Sequence, residues 1–460
     1  MAVLYPSQDA TMDWSSGDWS VADDNAKNHV APIDNDTVRI TANSSAAITL
    51  DADQIDIELA GLDMTGYTGT LTDDGTPRNL DVDGNVVLAG NVIQTTNFLI
   101  ECSGSMTLTD GMTATGLQLT LDGTGTFTSN NVTVGDLVIN TPGTVTLPGG
   151  PTGPVNCGAF TFSGGEFDQA SQPVTATGDL IGEDPINLTN PGAFTQSGTG
   201  VDLKWRDASE KMASYTAVTG STITRTGYVF ADKVTVPEGV TMGADGAANF
   251  LYPYEPSANN FCDVQGTINT GKVKIRLAAN RSNNTPILCP NVLFYLTANG
   301  GARTLTQSAE VQCSSLQLAG NGAVLAKIIF SGAGGRIGAV VLGDAAGATR
   351  DGGVEFGTGV FVIDSLGDQG QGANGHVVSV DSAYIQIAGG GTFDAAGAAT
   401  MSANAGECHI EGLGTAHIDN FNPDAATHCH NCIDDGGNGG NLDFNKHAAP
   451  GSLGLLGVGI

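Results

Sequence analysis

An all-β fold, specifically a right-handed parallel β-solenoid (β-helix) in two consecutive halves with irregular caps, is what this sequence predicts, and three observations carry that expectation. Apolar and polar residues alternate in short bursts, as in Val38-Arg39-Ile40, Ile55-Asp56-Ile57-Glu58-Leu59 and Tyr67-Thr68-Gly69-Thr70-Leu71. Period two with β-branched residues, broken every few positions by Gly or Asp, is the strand signature. The bursts also recur: Phe98 to Thr109 aligns with Leu117 to Thr128, with Leu137 to Leu147 and loosely with Phe160 to Phe167, the starts lying 19, 20 and 23 residues apart. Finally, no stretch holds a helical period for three turns. A strand, a Gly turn and a second strand in about 20 residues make one rung of a solenoid, which cannot bury its apolar face without a rung above and below. A meandering β-sandwich gives similar hairpins and is the competing architecture.

Composition agrees. The 460 residues exceed the size at which one compact core keeps growing, a limit that a solenoid escapes by extending its core in one dimension. Gly, at 65 residues, lacks a G-X-Y period and Pro is only 17, so collagen is excluded and the glycines serve turns. With 40% hydrophobic and only 14% charged residues the chain folds despite its net charge of −31. The acidity comes from 37 Asp against 11 Glu, and Asp favours tight corners where Glu favours helices. Only 17 Lys and Arg argue against nucleic acid, whose phosphates need clustered cations. Nine of these cations fall between Lys204 and Arg281. That band either offsets carboxylates and joins two halves or contacts an acidic partner.

In chain order, residues 1–35 are an N-terminal cap or attachment segment, in which Trp14 and Trp19 precede the first regular strand. Large aromatics there cap or anchor the open end of a stack, or stack on carbohydrate. A first solenoid half occupies 36–200, and a Lys- and Arg-bearing irregular junction covers 201–225. The second half, 226–405, carries Val273-Lys-Ile-Arg-Leu277, Val292-Leu-Phe-Tyr-Leu296, Lys327-Ile-Ile-Phe330 and Tyr384-Ile-Gln-Ile387. Residues 406–460 form a Cys/His- and Gly-rich C-terminal segment whose apolar end, Gly451 to Ile460, is too short to span a membrane.

That last segment holds the densest chemistry. His428-Cys429-His430-Asn431-Cys432 offers two imidazoles and two thiolates, so His428, His430, Cys429 and Cys432 are candidate ligands for Zn or Fe. The alternating histidines could equally sit on the axis of a trimer, and a Cys429–Cys432 or Cys408–Cys429 disulfide would use the same atoms. Cys102, Cys157, Cys262, Cys289 and Cys313 lie in strand-like contexts where buried free thiols are expected. Asp81-Val-Asp-Gly-Asn85 and Asp434 to Asp443 resemble calcium loops only superficially, and Asx-rich turns explain them. There is no G-x-S-x-G, Walker loop or H-E-x-x-H, and the carboxylates show no pattern that singles out a catalytic pair, so no catalytic residues are assigned.

The opening Trp14-Ser15…Trp19, then Asp34-Asn-Asp-Thr-Val-Arg-Ile40, Ile48-Thr-Leu-Asp-Ala-Asp53, Thr65-Gly-Tyr-Thr-Gly-Thr-Leu71 and Leu137 to Leu147 resemble β-helical proteins encoded among phage virion genes. Asn431 to Phe444 is similar to a Gly/Asn-rich ending such proteins carry. The resemblance implies a virion appendage (tail fibre, tailspike or head fibre), often a homotrimer, bound to other virion proteins and contacting a host surface glycan or protein. The N-terminus has no basic or apolar leader pattern, and no run reaches the ~18 apolar residues of a membrane span. Neither export by the general route nor membrane insertion is therefore expected, which suits a particle assembled in the host cytoplasm and released by lysis. A bacterial extracellular adhesin or filament subunit and a polysaccharide-degrading β-helix enzyme are the alternative expectations.

Overall fold

The computed structural model describes residues 2–443 except 10, 25, 45, 52–53, 77, 94–97, 115, 184–186, 206–209, 247–248, 321–324, 333, 344–351, 358, 369–375, 381–382, 388–391, 395–397, 404–407, 420–426 and 437–441, with side chains as far as Ile387 apart from those of 54–57, 93, 98, 359, 368, 376, 379–380, 383–384 and 386. Among the described residues every regular element is a β-strand, and none is a helix. Two compact units divide the chain, Met1–Asn249 and Phe250–Ile460.

The first unit is a β-solenoid whose early rungs have three sides. One ladder runs through Thr37–Arg39, Gly61–Asp63, Val86–Leu88 and Met106–Leu108. A second runs through Thr11–Asp13, Ala47–Leu50, Thr70–Asp73 and Asn91–Ile93. A third runs through Arg78–Val82, Phe98–Cys102, Gln118–Leu121 and Thr133–Thr146. Every one of these pairings is parallel, and each strand meets the strand one rung further on, about 20 residues away in the third ladder. A β-sandwich built of hairpins would pair neighbours antiparallel, so the solenoid holds and the competing architecture does not.

Alternation of side chains turns this register into columns. Leu80, Ile100, Leu119, Leu137, Phe160, Leu180 and Leu203 stand one above another and are fully buried. Each contributes ~1.5–3 kcal/mol by leaving water, and none could do so in an isolated rung. Further along, Phe160, Phe194 and Trp205 interlock, with ring centroids 5.8 and 4.8 Å apart. Turns stack as tightly as strands: a Cβ added at Gly123 would meet the Ser103 carbonyl oxygen at 1.8 Å, so only Gly lets these two turns touch.

Strands Thr199–Trp205, Ser214–Ala217 and Thr222–Ala231 continue the parallel ladders through the stretch expected as an irregular junction, and the division into units falls at Asn249 instead. The core column changes character here. Leu203 is followed in register by Arg225, which is fully buried and donates from Nε to the Gly243 carbonyl at 3.1 Å. Nearby, buried Tyr215 donates to Gln196 Oε1 at 3.1 Å, and Gln196 donates to the Gly178 and Asp202 carbonyls.

The described residues of the second unit also form a parallel solenoid. One ladder joins Lys272–Leu277, Ile287–Ala298, Val311–Ala319, Gly335–Leu342 and Gly359–Asp368. Another joins Arg281–Asn283, Arg303–Gln307, Ala326–Phe330, Gly352–Phe356 and His376–Val380. Val273, Phe294, Leu316 and Val340 form a buried column. Beside it, buried Asn283 donates to Gln307 Oε1 at 2.9 Å and to the Cys262 carbonyl at 2.9 Å, which satisfies amides that would otherwise be costly inside.

Candidate functional site

The most distinctive outward face belongs to the first strands of the second unit. Phe250 pairs with Lys272, and Lys272 with Leu293; Leu251 pairs with Val273, and Val273 with Phe294. Because Leu251, Val273 and Phe294 are buried inward, alternation sends Phe250, Tyr252, Lys272, Lys274, Arg276 and Tyr295 to the other side. The Lys274 ammonium lies 4.8 Å from the centre of the Tyr252 ring, 5.1 Å from Phe250 and 5.2 Å from Tyr295. Lys272 sits 5.3 Å from Phe250, and the Arg276 guanidinium 5.0 Å from Tyr254. Arg276 also donates to the Tyr254 hydroxyl at 2.8 Å and pairs with Glu255 at 3.3 Å.

The aliphatic stems explain why Phe250 and Tyr252 are nearly buried on an outward face: lysines cover apolar rings while their charges stay near water. Burial pushes the Tyr252 phenol well above its ordinary pKa, so it stays neutral. Each cation–ring contact supplies about 0.5–2 kcal/mol and holds the ammonium in one place. In a chain of net charge −31, this makes a local cationic surface suited to carboxylates or sulfates.

The remainder of the cation band does other work. Lys204 pairs with Glu183, Lys211 with Asp232 at 2.8 Å, Arg281 donates to the Pro256 carbonyl at 2.7 Å, and Arg225 is in the core. Arg206 lies outside the described residues.

A second outward feature is acidic. Glu58, Asp81 and Glu101 stand in register on three successive strands of the first unit, with Asp122 close by. Burial, then the charges of Glu101, Asp122, Glu58 and Asp83, push the Asp81 carboxyl up to about 6, and burial and Asp122 raise Glu101. Asp81 therefore holds a proton into mildly acidic solution while its neighbours compete for charge. It is the first residue of the stretch that resembles a calcium loop. Among the described residues no three His, Cys, Asp or Glu side chains group as metal ligands. An open, shallow concavity of the first unit is lined by Tyr67, Ala89, Asn91, Asp110 and Met112, among others.

Trp14 and Trp19 are fully buried, with ring centroids 5.1 Å apart at 72°, and the Trp19 indole donates to the Trp14 carbonyl at 2.9 Å. Strand Trp19–Ser20 runs antiparallel to Val3–Pro6, which itself pairs parallel with Thr37–Arg39. With no exposed ring face, neither indole is placed to stack on a sugar. Cys102, Cys157, Cys262, Cys289 and Cys313 are buried thiols outside any disulfide, as their strand contexts predicted.

The side chains of His428, Cys429, His430 and Cys432 lie outside the described residues, but their backbone is the strand Thr427–Gly436, parallel to Cys408–Asp419. His428 pairs with His409, Cys429 with Ile410 and His430 with Glu411; Cys432 pairs with Ala416 beyond a register shift. Cys429 thus takes the opposite face of the ladder from His428 and His430 at the backbone. No family model, curated protein or solved structure matches this chain.

Proposed function

We propose that this chain is a non-enzymatic structural protein of a bacteriophage particle, an appendage of the tail-fibre, tailspike or head-fibre kind that contacts the host surface. In this reading it assembles as a homotrimer beside other virion proteins, is made in the host cytoplasm and leaves by lysis. The observation that carries the contact role is the cation–aromatic face of Lys272, Lys274 and Arg276 over Phe250, Tyr252, Tyr254 and Tyr295. Held ammoniums on a strand repeat every ~6.6 Å, a spacing that suits a repeating acidic host glycan. The phage assignment rests on the resemblance of the N-terminal and C-terminal sequence patterns; buried Trp14 and Trp19 suit a capped or anchored end. Electron microscopy of purified particles tests the assignment: symmetric density that labels with an antibody to this chain supports it, and a cell-surface array without capsids replaces it with the adhesin reading. For the face, Lys272→Gln with Lys274→Gln should weaken binding to a sulfated or uronic-acid polysaccharide at least about 10-fold at low salt, the effect shrinking as salt rises. Unchanged binding removes the contact role.

A second reading, polysaccharide cleavage, is favoured by one observation: a carboxyl kept protonated to about pH 6 at Asp81 between the in-register carboxylates Glu58 and Glu101. An acid next to a carboxylate about 5 Å away is the pairing of retaining glycosidases. Release of reducing sugar that disappears in Asp81→Asn would establish it and displace the non-enzymatic role.

A further inference from the structure

We propose that His409, Glu411, His428 and His430, which the strand register brings to one face of two adjacent strands, bind a divalent transition-metal ion of the zinc class within a single chain. Phe361, Ile385, Ile410 and Cys429 share one set of register positions, of which Phe361 and Ile385 are fully buried. The alternate positions form the other face. Its first column runs Val360, Tyr384, His409, His428 and starts at a residue 55% exposed; its second runs Val362, Gln386, Glu411, His430. Three imidazole-bearing positions and one carboxylate position thus occupy a block about 4.8 by 6.6 Å at the backbone. Asp443 follows His428 in register on the next strand. An H-x-H pair alone offers two ligands, whereas the neighbouring rung completes the four that a tetrahedral N/O site takes, at about 2.0–2.2 Å from the ion. A lone histidine on a solenoid strand needs no ligand, but this chain has only seven in 460 residues and the register brings three together here.

The nitrogen and carboxylate set differs from the mixed thiolate set that the sequence alone suggested, and the proposal is independent of the virion assignment. The test uses the full chain, stripped with a chelator and titrated with Zn²⁺ against a chromophoric competitor, and in parallel with Co²⁺ followed by its visible spectrum. Expected are one ion per chain, a cobalt spectrum without thiolate charge-transfer absorption, and unchanged affinity in Cys429→Ser and Cys432→Ser. His409→Ala, His428→Ala and the near-isosteric Glu411→Gln should each lower affinity by at least about 100-fold, more than loss of a supporting hydrogen bond does, with Glu411→Gln keeping the wild-type melting curve. No binding, one ion per three chains, or loss of binding with Cys432→Ser accompanied by thiolate absorption would each overturn it.

Discussion

Replacing Asp81 by Asn should stabilise the first unit at neutral pH and do almost nothing in acid. Asp81 is partly buried and faces Glu58 and Glu101 in register, and its carboxyl titrates at about 6 instead of the ordinary 3.8. A pKa raised on folding means that the native state holds more protons than the unfolded chain between about pH 4 and pH 6. Stability falls as pH climbs through that window, and the whole penalty is present above it. The rise from 3.8 to about 6 corresponds to about 3 kcal/mol, and solvent screening of a partly exposed carboxylate brings this to ~1 kcal/mol. For a unit spanning Met1–Asn249 that is a melting shift of about 2–4 °C. Paired calorimetric scans of wild type and Asp81→Asn, at about pH 4 and pH 7, measure it, the difference at neutral pH being the prediction. Molar salt should shrink the contribution of Glu101, Asp122 and Glu58 but leave the larger one from burial. An equal shift at both pH values, or a destabilised variant at neutral pH, refutes the coupling.

Three further outcomes are expected. Phe160→Ala, which removes a fully buried ring packed on Phe167 and Phe194, should cost the first unit ~3–5 kcal/mol in denaturant unfolding; a loss under ~1 kcal/mol would mean the column is not packed as described. Gly123→Ala should destabilise by at least ~1–3 kcal/mol because its Cβ meets the Ser103 backbone at 1.8 Å, whereas Gly149→Ala, with open space at its Cβ, should stay within ~0.5 kcal/mol in the same melts. Cys102 and Cys157, pushed up to about 11 and about 12 by burial, should resist iodoacetamide in the native protein and react only after unfolding; rapid native labelling by mass spectrometry would contradict their place in the core.

The solenoid was legible because its rungs repeat in the text. The aligned starts at Phe98, Leu117 and Leu137 are each one position from, or coincident with, residues that pair across the ladder: Leu99 with Gln118, Gln118 with Asp136 and Leu119 with Leu137. Arg225 falls in the cation band read as offsetting carboxylates or contacting an acidic partner, yet period two places it on the side of buried Ile223, and that pattern outranks the residue's usual preference for water. The same rule separates Cys429 from His428 and His430, a distinction that clustering by sequence distance hides. What no local pattern could supply is register between rungs. Lys274 and Tyr252 are 22 residues apart, and Glu58, Asp81 and Glu101 are spaced unevenly because the turns between them differ in length. The acidic ladder and the cation–aromatic face exist only once those turns are closed.

Parallel pairing to the adjoining rung has a kinetic side. Along both ladder systems a strand's partners lie about 15 to 36 residues away, a small fraction of the 460-residue chain. Such a chain can nucleate at any pair of rungs and grow in either direction, each new turn docking on a finished one. During synthesis it can therefore be laid down in the order in which it emerges. The hazard of that route is that every unfinished stack ends in a bare strand edge, a template for the next copy of the same protein. A net charge of −31 makes two half-built stacks repel one another until each has completed its own.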